Sequence, residues 1–485
     1  MLYGVSPIVI LMLLQAESLP SEEWKRRAAQ SVALAQQAES PAELVEAMDN
    51  CWRADAWRDG LEVADLAATR FGQDTTIVAR RARALWRAGR LEEAEVLLAP
   101  LADETRDPVA LCTLVASALS RGDARRAEAL GKRLHTLRPI GATELHSLIA
   151  VHLANDSLGG LVPLLRSCEQ SADARNGYPE THIAESILGM AQFFQAVGPR
   201  PLNVLVSPGV ADMPMLVGFN LPYCQAHING RGPYRLIVDT GGSITLSLDR
   251  SIAEDLELAA LSEGAVHGVA GREPSGQALV HRLHIGTIEL ERVMTRAFTL
   301  PAPVKAAADG VIGAGVFADS RLVLDFGAAR LTAEHSRAAP GRGEPFPIRI
   351  VSDAKLVTPV RLNEQRVLAV LDTGADIVAL APSFVRAHLD AAEPRPLPVA
   401  GLGVGDQPAV AITLAPPVNA QIGARTFERL GTVGLGALDQ LLSPMLGVQV
   451  DALIGMQVFR KMSAFTVDFA RAQAWVEWLD APSGG

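Results

Sequence analysis

Leu236-Ile237-Val238-Asp239-Thr240-Gly241 runs from an apolar stretch into an acid, a small hydroxyl residue and a turn residue. Val370-Leu371-Asp372-Thr373-Gly374 repeats that order later in the chain. A single Asp at the end of a strand is an ordinary turn residue. Two in the same frame predict a duplicated lobe that supplies one carboxylate twice. Carboxylates brought together at such a junction can share one proton and activate one water.

The duplication extends on both sides of the motif. Gln225-Ala226-His227-Ile228-Asn229-Gly230 leads into the first copy, and Val360-Arg361-Leu362-Asn363 into the second. Each copy is followed by a glycine-rich stretch, Gly268-Val269-Ala270-Gly271 or Gly401-Leu402-Gly403-Val404-Gly405. Ile285-Gly286 and Ile422-Gly423 come next, in strand-like settings. Asp309-Gly310-Val311-Ile312-Gly313 and Asp451-Ala452-Leu453-Ile454-Gly455 follow, then Val316-Phe317 and Val458-Phe459. An apolar strand holding Asp325-Phe326 or Asp468-Phe469 closes each half. The recurrence in one order predicts two all-β lobes, 201–338 and 346–485, joined by a linker at Ala339–Pro345.

Upstream the texture differs. From Ser21 to Val197, Ala, Leu, Glu and Arg dominate, and apolar residues recur at three and four, as helices require. Gly89-Arg90-Leu91-Glu92-Glu93-Ala94 aligns with Gly122-Asp123-Ala124-Arg125-Arg126-Ala127, an offset of 33 (122 − 89). Asp55 and Asp156 stand one further period out on either side. The spacing predicts helix–turn–helix units over 21–197, with Ala94 and Ala127 where paired helices pack closely. A period of 33–34 resembles the tetratricopeptide repeat, whose solenoids present a concave surface to a peptide or partner. A plain helical bundle is the alternative. Gly198-Pro199-Arg200-Pro201 ends this region.

Bulk properties set limits. A chain of 485 residues, 49% hydrophobic and 20% charged, is expected to fold into more than one domain. A net charge of −10 argues against nucleic acid as partner. No apolar run is long enough for a stable membrane span in a mature chain. Val5–Leu14 with Gln15-Ala16-Glu17 after it has the pattern of a signal peptide, assigned to 1–18, although Met1–Gly4 lack a basic residue and Pro7 interrupts the run. That predicts an extracytoplasmic protein, periplasmic or secreted. The alternative is a cytoplasmic protein whose first helix is buried. Cys51, Cys112, Cys168 and Cys224 are widely spaced, with no metal-like pairing, and are expected to be small buried side chains.

On these motifs, the region from about Pro201 onward resembles the pepsin and retropepsin superfamily of aspartic proteases, and the whole chain a two-lobed bacterial type with a helical domain in front. The resemblance implies a bilobal acid-protease fold and an aspartic endopeptidase. Asp239 and Asp372 would be the catalytic pair. Thr240, Gly241, Thr373 and Gly374 would support the active-site loops, with Ile312-Gly313 and Ile454-Gly455 packed beneath them. The glycine-rich stretches would be flaps over a peptide, with His267, Gly268, Gly271, Gly401 and Gly403 near the substrate. For His267 an exposed turn residue is the favoured reading, given its loop setting. The first flap lacks the Tyr of pepsins, and Ala375-Asp376 after the second motif is the retropepsin-like form. The implied partners are a peptide or protein substrate, and a protein partner on the helical repeats.

Other chemistries are excluded or disfavoured. Gly401–Gly405 is not Gly-x-Gly-x-x-Gly and precedes strand signals, so it is no dinucleotide loop. No cofactor is expected, and His281, His284 and His388 do not have a metal-ligand spacing. No serine-nucleophile motif is present. A catalytically silent peptide-binding scaffold on the same fold is the competing reading.

Overall fold

The turns between consecutive helices explain the repeat. The computed structural model describes residues 22–137, 142–155, 159–160, 163–164, 189, 192–268, 271–352, 354–389, 395–397 and 412–479. Helices α1 (Glu22–Ala35), α2 (Pro41–Arg53), α3 (Trp57–Phe71), α4 (Thr75–Arg87), α5 (Leu91–Leu98), α6 (Pro108–Ser120), α7 (Ala124–Thr136) and α8 (Ala142–Ala154) follow in order. Asp55 (φ 52°), Gly89 (φ 77°) and Gly122 (φ 71°) each sit between two helices in the left-handed region that ends a helix sharply. The next amide reaches back to a carbonyl in the last turn in each case: Ala56 to Cys51, Arg90 to Leu85 and Asp123 to Ala118, all at 2.9 Å. Gly60, Ala94 and Ala127 are buried where the second helix crosses the first. The next turn of the series, Asp156, and Cys168 lie outside the described residues, as does the segment 1–18.

Helix α4 packs on both α2 and α6. Its Arg80, Arg83 and Arg87 reach Asp107, Asp49 and Asp55 at 2.6, 2.6 and 2.9 Å. Trp86 is buried, whereas Trp52 and Trp57 are only half-buried and lie under the guanidinium groups of Arg83 and Arg58. Of the three, Trp86 alone is core. Cys51, Cys112 and Cys224 are buried, as expected.

Residues 201–446 and 450–485 form a separate β-rich unit. Its halves share one topology. In the first, Arg231–Asp239 runs parallel to Gly310–Gly313. That strand is antiparallel to Leu246–Asp249, which is parallel to Ile288–Phe298. In the second, Gln365–Leu371, Ala452–Ile454, Val378–Leu380 and Arg425–Leu435 repeat these relations. The strands into the motifs are apolar because both faces are covered: Leu236 to Val238 and Ala369 to Leu371 are buried. Ile285-Gly286 and Ile422-Gly423 are not mid-strand features. They are equivalent hairpin turns, with Gly286 at φ 59° and Gly423 at φ 58°.

A third sheet joins the halves. Ser320–Asp325 and Met462–Asp468, which end in the repeated Asp-Phe elements, pair antiparallel, so that Arg321 lies opposite Asp468. That buried pair is 3.1 Å apart. The expected linker ends two residues early: Glu344 and Pro345 belong to the edge strand Glu344–Phe346, where a proline needs no donor.

Candidate active site

The two Asp-Thr-Gly turns meet face to face. The first strand ends on its Asp and the second just before it: Asp239 lies opposite Gly313, and the Asp372 amide donates to Ile454 O at 3.0 Å. Ile312 and Ile454 are fully buried beside the loops. The threonines then lock the turns together. The Thr240 amide donates to Thr373 Oγ1 and the Thr373 amide to Thr240 Oγ1, both at 3.0 Å. Each hydroxyl also donates across the junction, Thr240 to Leu371 O at 2.9 Å and Thr373 to Val238 O at 2.7 Å.

This interlock stacks each carboxyl over the opposite glycine. A β-carbon on Gly241 would sit 2.6 and 2.7 Å from the Asp372 carboxyl oxygens, and one on Gly374 would sit 2.7 and 2.8 Å from those of Asp239. No side chain fits in either place, so both positions need glycine. The two acids are thereby held close, with no exposed surface.

Burial dominates the electrostatics. It raises the pKa of Asp239, against the opposing pull of the Asp372 carboxyl, the Lys355 ammonium and the nearby Gly241 and Gly242 amides. It raises Asp372 too, and the charge of Asp239 pushes in the same direction, against the Gly374 amide and Lys355. Two adjacent buried carboxyls cannot both ionise cheaply, so the pair retains a proton well above the usual carboxylate range.

Residues 224–316 match the aspartyl protease family model. No curated protein matches the chain. The matched segment carries Asp239, the long hairpin after it and Ile312-Gly313. It supports an aspartyl-protease-like domain, and at family level a hydrolase of the protease class.

The other expected residues of this aspartyl-protease-like domain divide into those described and those not. His267 and Gly268 end the strand Ser262–Gly268, which forms a hairpin with Gly271–Ile285 closed by the pairing of Gly268 with Gly271. Gly401 and Gly403 lie outside the described residues. Among the described residues no cluster of three potential metal ligands occurs.

Two further residues near the pair, Asn220 and Lys355, carry no motif signal. Asp376 accepts from Asn220 Nδ2 of the first lobe at 3.3 Å and pairs with Arg460 at 3.2 Å. At the corresponding place in the first lobe, Ser243 instead shares a 2.5 Å hydrogen bond with Thr245. Lys355, fully buried at the start of the strand Lys355–Leu362, donates to Gly242 O of the other lobe at 2.8 Å. Nothing local in the sequence marks Lys355 or Asn220, because their neighbours at the site are far away in the chain.

Proposed function

We propose that the chain is an aspartic endopeptidase of the pepsin/retropepsin type, with both lobes in one chain and Asp239 and Asp372 as its catalytic pair. The observation that carries this reading is the reciprocal stacking of each carboxyl on the opposite motif's glycine. The pair acts on a water. The ionised carboxylate takes one water proton as the water oxygen bonds to the scissile carbonyl carbon, and the protonated partner donates to the carbonyl oxygen. Collapse of the tetrahedral species breaks the C–N bond. A proton from the pair goes to the leaving nitrogen, one hydroxyl of the tetrahedral species returns its proton to the pair as the carbonyl re-forms, and the pair again holds one shared proton. No covalent intermediate is formed.

The helical domain is read as a tetratricopeptide-like repeat that recruits the substrate or a protein partner. The left-handed turn repeated at Asp55, Gly89 and Gly122 supports that reading. An extracytoplasmic location follows if 1–18 is a signal, and a cytoplasmic one otherwise.

A second reading, a silent peptide-binding scaffold, draws on one fact: neither carboxyl has exposed surface. Cleavage of a mixed peptide library from acid to neutral pH separates the two. The endopeptidase reading expects cleavage that falls by roughly 10²–10⁴-fold in Asp239→Asn and in Asp372→Asn. Cleavage unchanged in either variant overturns the paired mechanism, and none at any pH favours the scaffold.

A further inference from the structure

The two halves repeat each other in topology, yet the site is not electrically symmetric. Tyr223 pairs with Ile237, two residues before Asp239, and Val357 pairs with Val370, two residues before Asp372. Stepping back two from Tyr223 and Val357 gives Leu221 and Lys355 as equivalent positions. Both are fully buried. One is a hydrocarbon and the other an amine. Burying a Lys side chain in a protein core is costly unless its charge is used.

Lys355 belongs to the second lobe, but its Nζ donates to the carbonyl of Gly242 in the first, at 2.8 Å. The Gly242 amide in turn donates to Asp239 O at 3.2 Å, closing the turn that carries the carboxyl. The ammonium is thus tied to the first motif's loop from across the lobe junction. Lys355 is a charged group that acts on both carboxyls, favouring the ionised form of each. The next acid along, Asp376, faces Arg460 and Asn220.

We propose that Lys355 is a positioning residue for the pair: its ammonium, fixed on Gly242, neutralises the one negative charge of the singly protonated Asp239–Asp372 pair and sets the pH range over which that form persists. The proposal rests on the endopeptidase reading for its effect on catalysis, but not for its effect on the carboxyls. With the charge present, the doubly protonated form gives way to the singly protonated form at lower pH, and the dianion is also reached sooner. Removing the charge shifts both transitions to higher pH, by about 1–3 units for a buried neighbouring charge.

The test uses the full chain labelled with ¹³C at Asp carboxyls, with the pair's signals assigned through Asp239→Asn and Asp372→Asn. In Lys355→Met both carboxyl midpoints rise by at least one pH unit, while Lys355→Arg keeps them near wild type. Lys355→Gln, which keeps a donor for Gly242 without a charge, behaves like Lys355→Met and replaces it if the Met variant does not fold. Midpoints unchanged in a folded neutral variant overturn the proposal. If neither neutral variant folds, the wild-type ¹⁵Nζ signal decides. A charged ammonium throughout the titration of the pair is required, and a neutral amine overturns the proposal. If peptides are cleaved, both limbs of the kcat/KM profile move to higher pH in the neutral variants. A merely structural lysine lowers kcat without moving the limbs. Absence of cleavage counts against the endopeptidase reading and leaves the titration arm intact, so the two failures are distinguishable.

Discussion

Thr240 and Thr373 exchange amide-to-hydroxyl hydrogen bonds at 3.0 Å in both directions, so each lobe completes the other's turn. Both residues are buried. Replacing either with Val keeps its shape but strands an amide and a carbonyl of the opposite lobe. A loss of about 2–4 kcal/mol per single variant is expected, from two buried groups left unsatisfied. The double variant should cost less than the sum, since each hydroxyl serves the same interlock. Ser at either position should stay close to wild type. Denaturant unfolding of wild type and these variants checks this, and additive losses in the Val series would mean the two bonds act independently.

The raised pKa values of Asp239 and Asp372 predict a pH dependence of stability. The folded state holds a proton that the unfolded state has released, so stability is complete below the unfolded carboxylate range. It falls as pH rises through the folded values of the pair. Asp372→Asn removes the share of that dependence that belongs to Asp372 and leaves that of Asp239, whose rise comes from burial. It should therefore be more stable than wild type near neutral pH, by on the order of 1–3 kcal/mol, with the gap closing below about pH 4. Melting curves across pH test the sign. A variant less stable than wild type at neutral pH contradicts the linkage.

Arg321 and Asp468 form a buried ion pair in the sheet shared by the lobes. Arg321 also donates to the Arg337 and Ala339 carbonyls at 2.7 and 2.5 Å, and Asp468 accepts from the Ser336 hydroxyl at 2.7 Å. The pair thus pins the start of the connection between the halves. Arg321→Met leaves a buried carboxylate uncompensated and should cost about 3–5 kcal/mol. Adding Asp468→Asn should recover part of that loss, because Asn is neutral and still accepts from Ser336. Urea unfolding of the single and double variants measures the difference.

In the helical region, Arg87 grips Asp55 with two bonds of 2.9 Å. Burial raises Asp55, and Arg87 opposes that rise. Arg87→Met should cost roughly 1–3 kcal/mol at neutral pH. Its folded Asp55 pKa rises further, so the variant loses stability as pH climbs and recovers toward wild type in acid. Thermal melts at acid and neutral pH check the crossover. A deficit that stays constant with pH assigns the loss to packing instead.

Much of the architecture was legible because it is written in local chemistry. A left-handed turn favours Gly at 89 and 122 and tolerates Asp at 55, and a strand covered on both faces must be apolar up to Asp239 and Asp372. Such constraints act within a few residues and leave periodic marks in the chain. The reading was weaker where burial depends on partners from elsewhere. Glu344-Pro345 read as linker but forms an edge strand.

The sequence by itself determined that two equivalent Asp-Thr-Gly turns exist, each backed by the same strand, hairpin and Ile-Gly elements. It also determined the break in texture near Pro201. Only the tertiary structure decided that each carboxyl rests on the other turn's glycine, that Asn220 reaches Asp376, and that Lys355 rather than a pseudo-equivalent Leu enters the site. The reason is distance along the chain. A lysine at the head of a strand has the same local signature whether it ends in water or in a core. Its environment is set by Gly242, 113 positions away in the opposite lobe.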